Sequence, residues 1–314
     1  MPPAKAMRDA AAALLQRAAR PGDERGARLR RPLPDPHRRW LEYRPEPRPG
    51  VSLAELDPGA RKAAHRLLAT GLSPHAYAQA MAVVALEEVR DRREGWRRGR
   101  HSDDFWVVVF GDPAEPAWAW RFEGHHLSVS MTVTGDEVHP APVFLGANPA
   151  AVRYAGRPVL RPLAIEEDLS RELLAAMEPA ARARAVVADR APMDIRSGPR
   201  PVAERIAPLG VPGGDLGGTA RDLLVALTTL YLDRLPEPVA AREAARIDPR
   251  ELHFAWEGPT APGQRHYYRI QAPDLLIEYD NTTSDANHIH TVLRRPDTEF
   301  GGDVLAAHLA AAHP

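Results

Sequence analysis

Apolar and polar residues alternate in two neighbouring stretches of the chain, residues 117–123 and 126–133. Trp118, Trp120 and Phe122 take alternate positions in the first stretch, and Leu127 and Val129 begin the same pattern in the second. A period of two is the spacing of a β-strand that buries one face. The pattern therefore predicts a strand–turn–strand hairpin with an apolar face. Its opposite face would carry the polar residues Arg121, Glu123, His126, Ser128, Ser130 and Thr132.

A second stretch, residues 268–279, can be laid on residues 120–131 without gaps, so that Arg269 corresponds to Arg121. Apolar residues at three- and four-residue intervals before each hairpin, in 56–68 and 216–227, predict amphipathic helices. We therefore predict two pseudo-repeated halves, approximately 8–150 and 165–312, each made of helices followed by an antiparallel β-meander. Chance similarity between two ordinary hairpins is the alternative explanation.

Helices that precede antiparallel hairpins, without strict strand–helix alternation, favour the α+β class. The two halves are expected to pack as one unit over residues 1–314. The proline- and glycine-rich stretch at approximately 196–218 is predicted to be a linker. No glycine-rich phosphate loop follows a predicted strand, so we expect no nucleotide cofactor.

Composition narrows the range of partners and chemistry. The net charge of −1 gives no electrostatic reason to expect nucleic acid or an anionic membrane surface. The chain has no cysteine, so a metal ion would have to be held by His, Asp, Glu or backbone oxygen. The apolar run at residues 10–15 is shorter than the core of a secretory signal, and we therefore expect a cytoplasmic protein.

Four of the thirteen histidines stand in two pairs, each beside carboxylates: His125 with His126, and His288 with His290. On a strand, residues two apart project to the same side about 7 Å apart, so both imidazoles of the second pair can approach one ion. The third ligand could come from the first pair or from Glu278 or Asp280. The predicted metal ligands are His125, His126, His288 and His290.

Three histidines suit zinc or copper, whereas two histidines with one carboxylate suit iron. We therefore predict a metal-dependent enzyme, hydrolytic or oxidative, that acts on an anionic small molecule or peptide. The carboxylates predicted to serve in catalysis are Glu123, Glu278 and Asp280. The residues predicted to contact the substrate are Arg121, Arg269, His266, Asn281 and Asn287.

Two alternatives to this interpretation stay open. In one, the two halves clasp a small acidic ligand or peptide through Arg121 and Arg269 without chemistry. In the other, the histidines, arginines and carboxylates form a buried hydrogen-bond network. Asn281 and Asn287 flank a turn, where Asn side chains commonly serve as caps, and His266 at the start of a strand could equally be structural.

Several longer strings resemble the domain of unknown function 3500 family. They are residues 118–128, 144–149, 266–270, 276–282 and 286–290. The likeness extends from about Trp40 to His308, and it implies that the chain forms one complete unit. It implies no reaction, because the family is uncharacterised. Thr283 and Leu293 depart from the residues that family members typically carry there, and neither is a predicted ligand.

Overall fold

The computed structural model describes residues 1–18, 24–97 and 102–302, and all statements on the structure concern these residues. Within them the chain forms eight α-helices and fourteen β-strands. The helices are α1 Pro3–Ala18, α2 Glu24–Leu29, α3 Pro58–Gly71, α4 Pro74–Arg93, α5 Ala164–Ala176, α6 Pro179–Ala185, α7 Gly218–Leu232 and α8 Glu237–Ala245.

The strands vary from two to eleven residues in length. They are β1 Arg30–Arg31, β2 Val51–Ser52, β3 Phe105–Gly111, β4 Ala117–Gly124, β5 Leu127–Thr134, β6 Glu137–Ala147, β7 Val152–Tyr154, β8 Arg157–Leu160, β9 Val186–Ala188, β10 Val211–Pro212, β11 His253–Glu257, β12 His266–Ala272, β13 Leu275–Thr283 and β14 His288–Arg294.

Twelve of these strands form one mixed sheet in the order β1-β3-β4-β5-β6-β14-β13-β12-β11-β10, with β2 paired to β3 and β9 to β11. Strands β3 to β6 and β11 to β14 are two antiparallel meanders, and they join through the antiparallel pair β6–β14. β1 and β9 pair in parallel. The α+β prediction is confirmed, with a large mixed sheet at its centre.

The helices pack on one face of this sheet. Met7 of α1 and Leu67 of α3 share an apolar core with Trp118, Trp120 and Phe122 of β4. Helices α3 and α4 have favourable N-termini, because Asp57 before α3 and Ser73 before α4 accept backbone N–H groups and each is followed by proline. The predicted hairpin is also present, and its apolar face is the one that meets the helices.

The opposite, polar face of the sheet is covered by irregular segments rather than left to solvent. Arg121 donates to the carbonyl oxygens of His37 and Trp40, at 2.7 and 3.1 Å. Glu278 accepts the backbone N–H of Arg196 at 2.6 Å, and Arg269 donates to the carbonyl of Pro208. Charged side chains of the sheet therefore hold the covering segments through their backbone groups, which gives these backbone groups partners away from water.

The stretch predicted as a linker at approximately 196–218 is part of this cover. Gln271 exchanges two hydrogen bonds with the backbone of Ile206, and Glu299 accepts from the N–H of Ala203. The end of the stretch forms β10 and the start of α7. Proline and glycine thus mark irregular backbone that packs on the sheet.

None of the helices in the described part of the chain combines the length and apolarity that a bilayer span requires.

Candidate metal centre

His126 lies in the two-residue turn between β4 and β5, where its backbone adopts the left-handed conformation with φ 63°. This conformation is unfavourable for a residue with a side chain, by about 1–2 kcal/mol. Hydrogen bonds hold it: the His126 N–H donates to the carbonyl of Tyr43 at 3.1 Å, and the His126 carbonyl accepts from Gly146 at 2.7 Å. The backbone therefore fixes the direction of the His126 side chain.

Gly146 of β6 provides the space that the His126 ring occupies. A β-carbon at residue 146 would lie 2.8 Å from Cδ2 of His126 and 2.8 Å from the carbonyl oxygen of Ile289. Real β-carbons do not approach other atoms so closely, and one of these contacts is to backbone that cannot easily move. Glycine at this position is therefore a requirement of the close packing around His126.

His288 and His290 reach the same place from β14. His290 stands opposite Gly146 of β6 on one side and Asp280 of β13 on the other. The ring centroid of His126 lies 4.8 Å from that of His288 and 5.3 Å from that of His290, and the last two are 4.6 Å apart. The central β6–β14 pairing thus brings the histidines of the two meanders together.

The ring nitrogens of the three histidines converge. The Nε2 atoms of His126 and His288 are 2.7 Å apart, and one nitrogen from each of the three rings lies within 4.8 Å of the other two. Two nitrogens bound to one tetrahedral ion at 2.0–2.1 Å are roughly 3.3 Å apart. The 2.7 Å spacing is shorter than this value and the other two spacings do not exceed 4.8 Å, so small rotations of the rings would let all three nitrogens bind a single ion.

The remaining nitrogen of two of these rings has a partner that orients it. His290 Nδ1 lies 2.7 Å from Oδ1 of Asp194, so the carboxylate accepts a hydrogen bond from this nitrogen. His288 Nδ1 lies 2.7 Å from the hydroxyl oxygen of Thr283. A proton held at Nδ1 leaves the Nε2 lone pair available, and metal-binding histidines are oriented in this way.

The electrostatic environment keeps two of the imidazoles neutral, as metal binding requires. The pKa of His288 is lowered to about 3, mainly by burial, with smaller contributions from the neighbouring His290 and Arg90. Burial likewise places the pKa of His126 well below its ordinary value, with smaller effects from His125 and His290.

Two carboxylates adjoin His290, and their environments differ. Burial raises the pKa of Asp280 to about 7, although a hydrogen bond from Thr282 opposes the effect. Burial would also raise the pKa of Asp194, but the hydrogen bond and charge of His290 outweigh it and the pKa is lowered. Asp194 also accepts a 2.9 Å hydrogen bond from the Tyr43 hydroxyl. Asp194 is therefore an ionised partner of His290, whereas Asp280 can exchange a proton near neutral pH.

His125, also predicted as a ligand, lies beside the three converging rings. Its Nδ1 is 2.5 Å from Oε1 of Glu87 on α4, and its ring centroid is 3.7 Å from that of His126. Glu87, His125 and His126 form a second group whose ligand atoms lie within 4.8 Å of one another. Both residues of the first histidine pair therefore belong to the cluster, on different sides of it.

Glu123 and Arg121, predicted for catalysis and substrate binding, pair with each other. Arg121 Nε lies 2.8 Å from Glu123 Oε1, and both side chains are almost fully buried. Burial raises the pKa of Glu123 and lowers that of Arg121, and their mutual attraction opposes both shifts. Because Arg121 also holds the segment around His37, these contacts give the pair a structural role.

Glu278 and Arg269 are engaged in the same manner in the second meander. Glu278 accepts hydrogen bonds from the Tyr267 hydroxyl and from the backbone N–H groups of Arg196 and Ser197. Arg269 donates to Glu257 at 2.5 Å and to the carbonyl of Pro208. We therefore assign neither residue to the chemistry of the site.

His266, Asn281 and Asn287, predicted to contact substrate, also have structural partners. The His266 ring is fully buried and stacks on Trp256, with centroids 4.6 Å apart and planes 8° apart. Asn281 accepts the backbone N–H of His288, and Asn287 accepts that of Ala151. Asn281 thus closes the turn beside the three histidines, whereas Asn287 holds the distant backbone of Ala151.

Sequence reasoning missed four residues around the cluster: Tyr43, Glu87, Thr283 and Asp194. Asp194 and Tyr43 belong to the covering segments, where no periodic pattern announces their position. Glu87 is a buried carboxylate on the helical face that also buries Val83, Val84 and Asp91, which was the signal available in the sequence. A charged residue on the buried face of an amphipathic helix indicates a polar partner inside the protein.

Comparison with known proteins gives a family and nothing more specific. The family model described as "Protein of unknown function (DUF3500)" matches residues 2–302, which is nearly the whole chain. No curated protein and no solved structure matches the chain.

Proposed function

Because this chain belongs to the DUF3500 family, whose description names no reaction, we propose its function from the geometry: a metal-dependent hydrolase. His126, His288 and His290 would bind one transition-metal ion. The single observation that carries this proposal is the convergence of three imidazole nitrogens within 4.8 Å, with Asp194 fixing the outer nitrogen of His290. Such a ligand set is typical of catalytic zinc sites that keep a position open.

The arrangement favours an ion over a closed hydrogen-bond network. The carboxylate of Asp194 accepts a hydrogen bond from Nδ1 of His290, which leaves the Nε2 lone pair of that ring for an ion, and the ring lies beside two further imidazoles. The 2.7 Å contact between the Nε2 atoms of His126 and His288 has the length of a hydrogen bond, and a bound ion would replace it. Gly146 and the left-handed backbone of His126 carry a cost in stability that a simple network would not need.

Three histidine nitrogens suit zinc or copper best. If Asp280 replaced one of the rings, the set would become two histidines and one carboxylate, which suits iron and oxidative chemistry. Asp194, Asp280 and His290 do form a group of close ligand atoms, so this second assignment has a structural basis. Hydrolysis is the better supported of the two, because all three imidazoles meet without rearrangement of the strands.

Asp280 is the proposed general base. It is buried beside His290, and a bound zinc ion would supply water whose pKa lies about 7. Asp280 is placed to accept the proton of a nucleophile bound next to His290, and it would return that proton to the leaving group. Glu123 and Glu278, the other predicted carboxylates, are engaged by Arg121 and by the backbone of Arg196.

The proposed substrate is an anionic small molecule or peptide, as the sequence suggested. The arginine proposed to attract it is a different one from those that the sequence suggested. Arg121 and Arg269 hold covering segments, whereas Arg90 of α4 acts electrostatically on both His126 and His288. Its guanidinium is largely buried and pairs through Nε with Glu94 at 3.0 Å. We propose that Arg90 attracts the negative group of the substrate toward the metal.

A binding module without chemistry is the second candidate, favoured because Glu123 and Glu278, two of the three carboxylates predicted for catalysis, are engaged in structural contacts. The two candidates differ in turnover. Zinc-loaded protein should hydrolyse members of a panel of ester, phosphoester and peptide substrates, and a chelator should abolish this activity. Asp280→Asn should retain zinc but lose most of the rate, by about 100-fold or more for a missing general base. Stoichiometric zinc with no turnover on any substrate class would leave the binding module as the function.

The division of the chain into two pseudo-repeated halves is part of this proposal. Two helices, two short strands, two further helices and a four-stranded meander follow one another twice, first over residues 3–147 and then over 164–294. In each half the first short strand pairs in parallel, and the second antiparallel, with the first strand of the meander. A profile built from relatives of residues 8–150 should match residues 165–312, and a failure to match would argue against duplication.

Among the residues that the structure describes, the proposed metal centre has no counterpart in the second half. Asp274 takes the place of His126 in the corresponding hairpin turn and accepts hydrogen bonds from Arg246 and Thr298, each at 3.0 Å. Asp274→Ala should therefore leave the metal content unchanged, while His126→Ala should reduce it. Equal losses in the two variants would contradict an asymmetric site.

A further inference from the structure

The Nδ1 side of His126 faces a second set of possible ligands. His126 Nδ1 lies 3.9 Å from Oε1 of Glu87, which is too far for a hydrogen bond. The same carboxylate oxygen lies 2.5 Å from Nδ1 of His125. His126 thus presents Nε2 to His288 and Nδ1 to the pair formed by Glu87 and His125.

All three side chains on this second side are buried. Glu87 is 3% exposed, His125 8% and His126 2%. Their ligand atoms lie within 4.8 Å of one another, and the separations of 2.5 and 3.9 Å bracket the roughly 3.3 Å expected between two ligands of a tetrahedral ion. The group combines two imidazoles with a carboxylate, which is a common ligand set of transition metals.

We propose that Glu87, His125 and Nδ1 of His126 bind a second divalent transition-metal ion, so that His126 bridges two ions through its two nitrogens. This inference rests on the proposed function, because the first ion is the one held by Nε2 of His126 with His288 and His290. The resulting centre has two metal ions and one shared imidazole.

Binding of the second ion releases one proton from His126. With the first ion on Nε2, neutral His126 carries its single proton on Nδ1. The second ion forms a bond to Nδ1 of His126, the N–H bond breaks, and that proton leaves to solvent or buffer, while neutral His125 keeps its one proton by carrying it on Nε2 instead of Nδ1. The bridging imidazolate and the carboxylate of Glu87 then provide two negative charges against the two positive charges of the ion.

The rival explanation is that Glu87 simply orients His125 by a hydrogen bond, which the 2.5 Å contact also fits. The two explanations differ in the number of ions and in the proton released. They also differ in the effect of His126→Ala. Under the proposal this variant loses a ligand of each of two ions, whereas under the rival explanation it loses a ligand of the single ion.

The test is equilibrium dialysis of the full chain, without a histidine tag, against Zn²⁺, followed by elemental analysis. The wild type should bind two ions, Glu87→Gln and His125→Gln one each, and His126→Ala none. Glu243→Gln is the matched control, since Glu243 is a buried glutamate of α8 that pairs with Arg295 and Arg246, and it should keep two ions. Binding of the second ion should release one proton that calorimetry in buffers of different ionisation enthalpy detects.

The other possible results of the dialysis distinguish failure of the second site from failure of the proposed function. One ion in the wild type, lost in a His288→Ala, His290→Ala double variant but kept in Glu87→Gln, overturns the second site and leaves the proposed function standing. Two ions that persist in both Glu87→Gln and His125→Gln place the second ion elsewhere and also overturn it. No bound zinc in the wild type would remove both proposals.

Discussion

The Nε2 atoms of His126 and His288 lie 2.7 Å apart although the two residues are 162 positions apart in the chain. Neither hairpin alone could place them together, because one histidine belongs to the first meander and the other to the second. The β6–β14 pairing, with His290 opposite Gly146, makes the contact. The proposed metal centre is thus a consequence of how the two meanders join.

Gly146→Ala should weaken metal binding without touching a ligand. The added methyl group would meet Cδ2 of His126 at 2.8 Å and push the ring from its position. We expect a loss of metal affinity of about tenfold or more, the range seen when a residue that orients a ligand is changed. Competition with a chromophoric chelator measures it. Gly218→Ala, where nothing lies within 4 Å of the added carbon, is the control and should bind as the wild type does.

Asp194→Asn should also lower metal affinity, by about 10- to 100-fold, because His290 would lose the anionic acceptor of its Nδ1 proton. Tyr43→Phe removes only the hydroxyl that donates to Asp194 and keeps the ring that stacks on Phe144, so its effect should be smaller. Isothermal titration with zinc distinguishes the two variants. Equal affinities for both variants and the wild type would show that Asp194 does not support a metal ligand.

Arg121→Ala should destabilise the fold rather than weaken substrate binding. The change leaves the buried carboxylate of Glu123 without its partner and frees the segment around His37, which should cost about 3–5 kcal/mol. Urea unfolding measures the loss. Arg153→Ala on the exposed β7 strand should have almost no effect, and an Arg121 variant of full stability with impaired turnover would restore the original interpretation.

The pKa of His266 predicts a stability change at mildly acid pH. This pKa is lowered from 6.5 to about 4: burial and the charge of Arg171 lower it, and the carbonyl of Gln264 and the carboxylate of Glu167 oppose the shift. The unfolded chain therefore binds a proton below pH 6.5 that the folded protein refuses until about pH 4. The free energy of unfolding should fall across this window as the pH is lowered, by on the order of 3 kcal/mol.

His266→Phe keeps an aromatic ring between Trp256 and Tyr279 and removes the titrating group. Its free energy of unfolding, from urea titrations at several pH values, should therefore fall less steeply than that of the wild type between pH 6.5 and 4. Parallel curves for the two proteins would show that His266 is protonated equally in the folded and unfolded states.

The sequence predicted the local parts of the fold well, and the physical reason is that they depend on short-range patterns. Alternation identified the hairpin of β4 and β5 and the face that Trp118, Trp120 and Phe122 bury. His126 was assigned to a strand, whereas it lies in the turn, because side-chain alternation does not reveal a left-handed backbone. Element boundaries near turns depend on such single-residue conformations.

The site was harder to predict because its parts come from segments far apart in the chain. His-x-His spacing suggested that the rings of His288 and His290 lie together, and they are 4.6 Å apart; His126, one of the candidates for a third ligand, lies beside both. Asp194 and Tyr43 could not be found in this way, since they stand on irregular backbone whose course is set by contacts with the sheet. Arg121 and Arg269 were predicted to contact substrate. A sequence cannot show that their guanidinium groups donate to the backbone carbonyls of His37 and Pro208.

The most direct test is the metal content of the full chain purified without a histidine tag. Elemental analysis of the wild type should find at least one transition-metal ion per chain, and the His288→Ala, His290→Ala double variant should lose the ion that these residues share with His126. A content well below one per chain, unchanged in the double variant and not raised by dialysis against zinc, would contradict the metal centre.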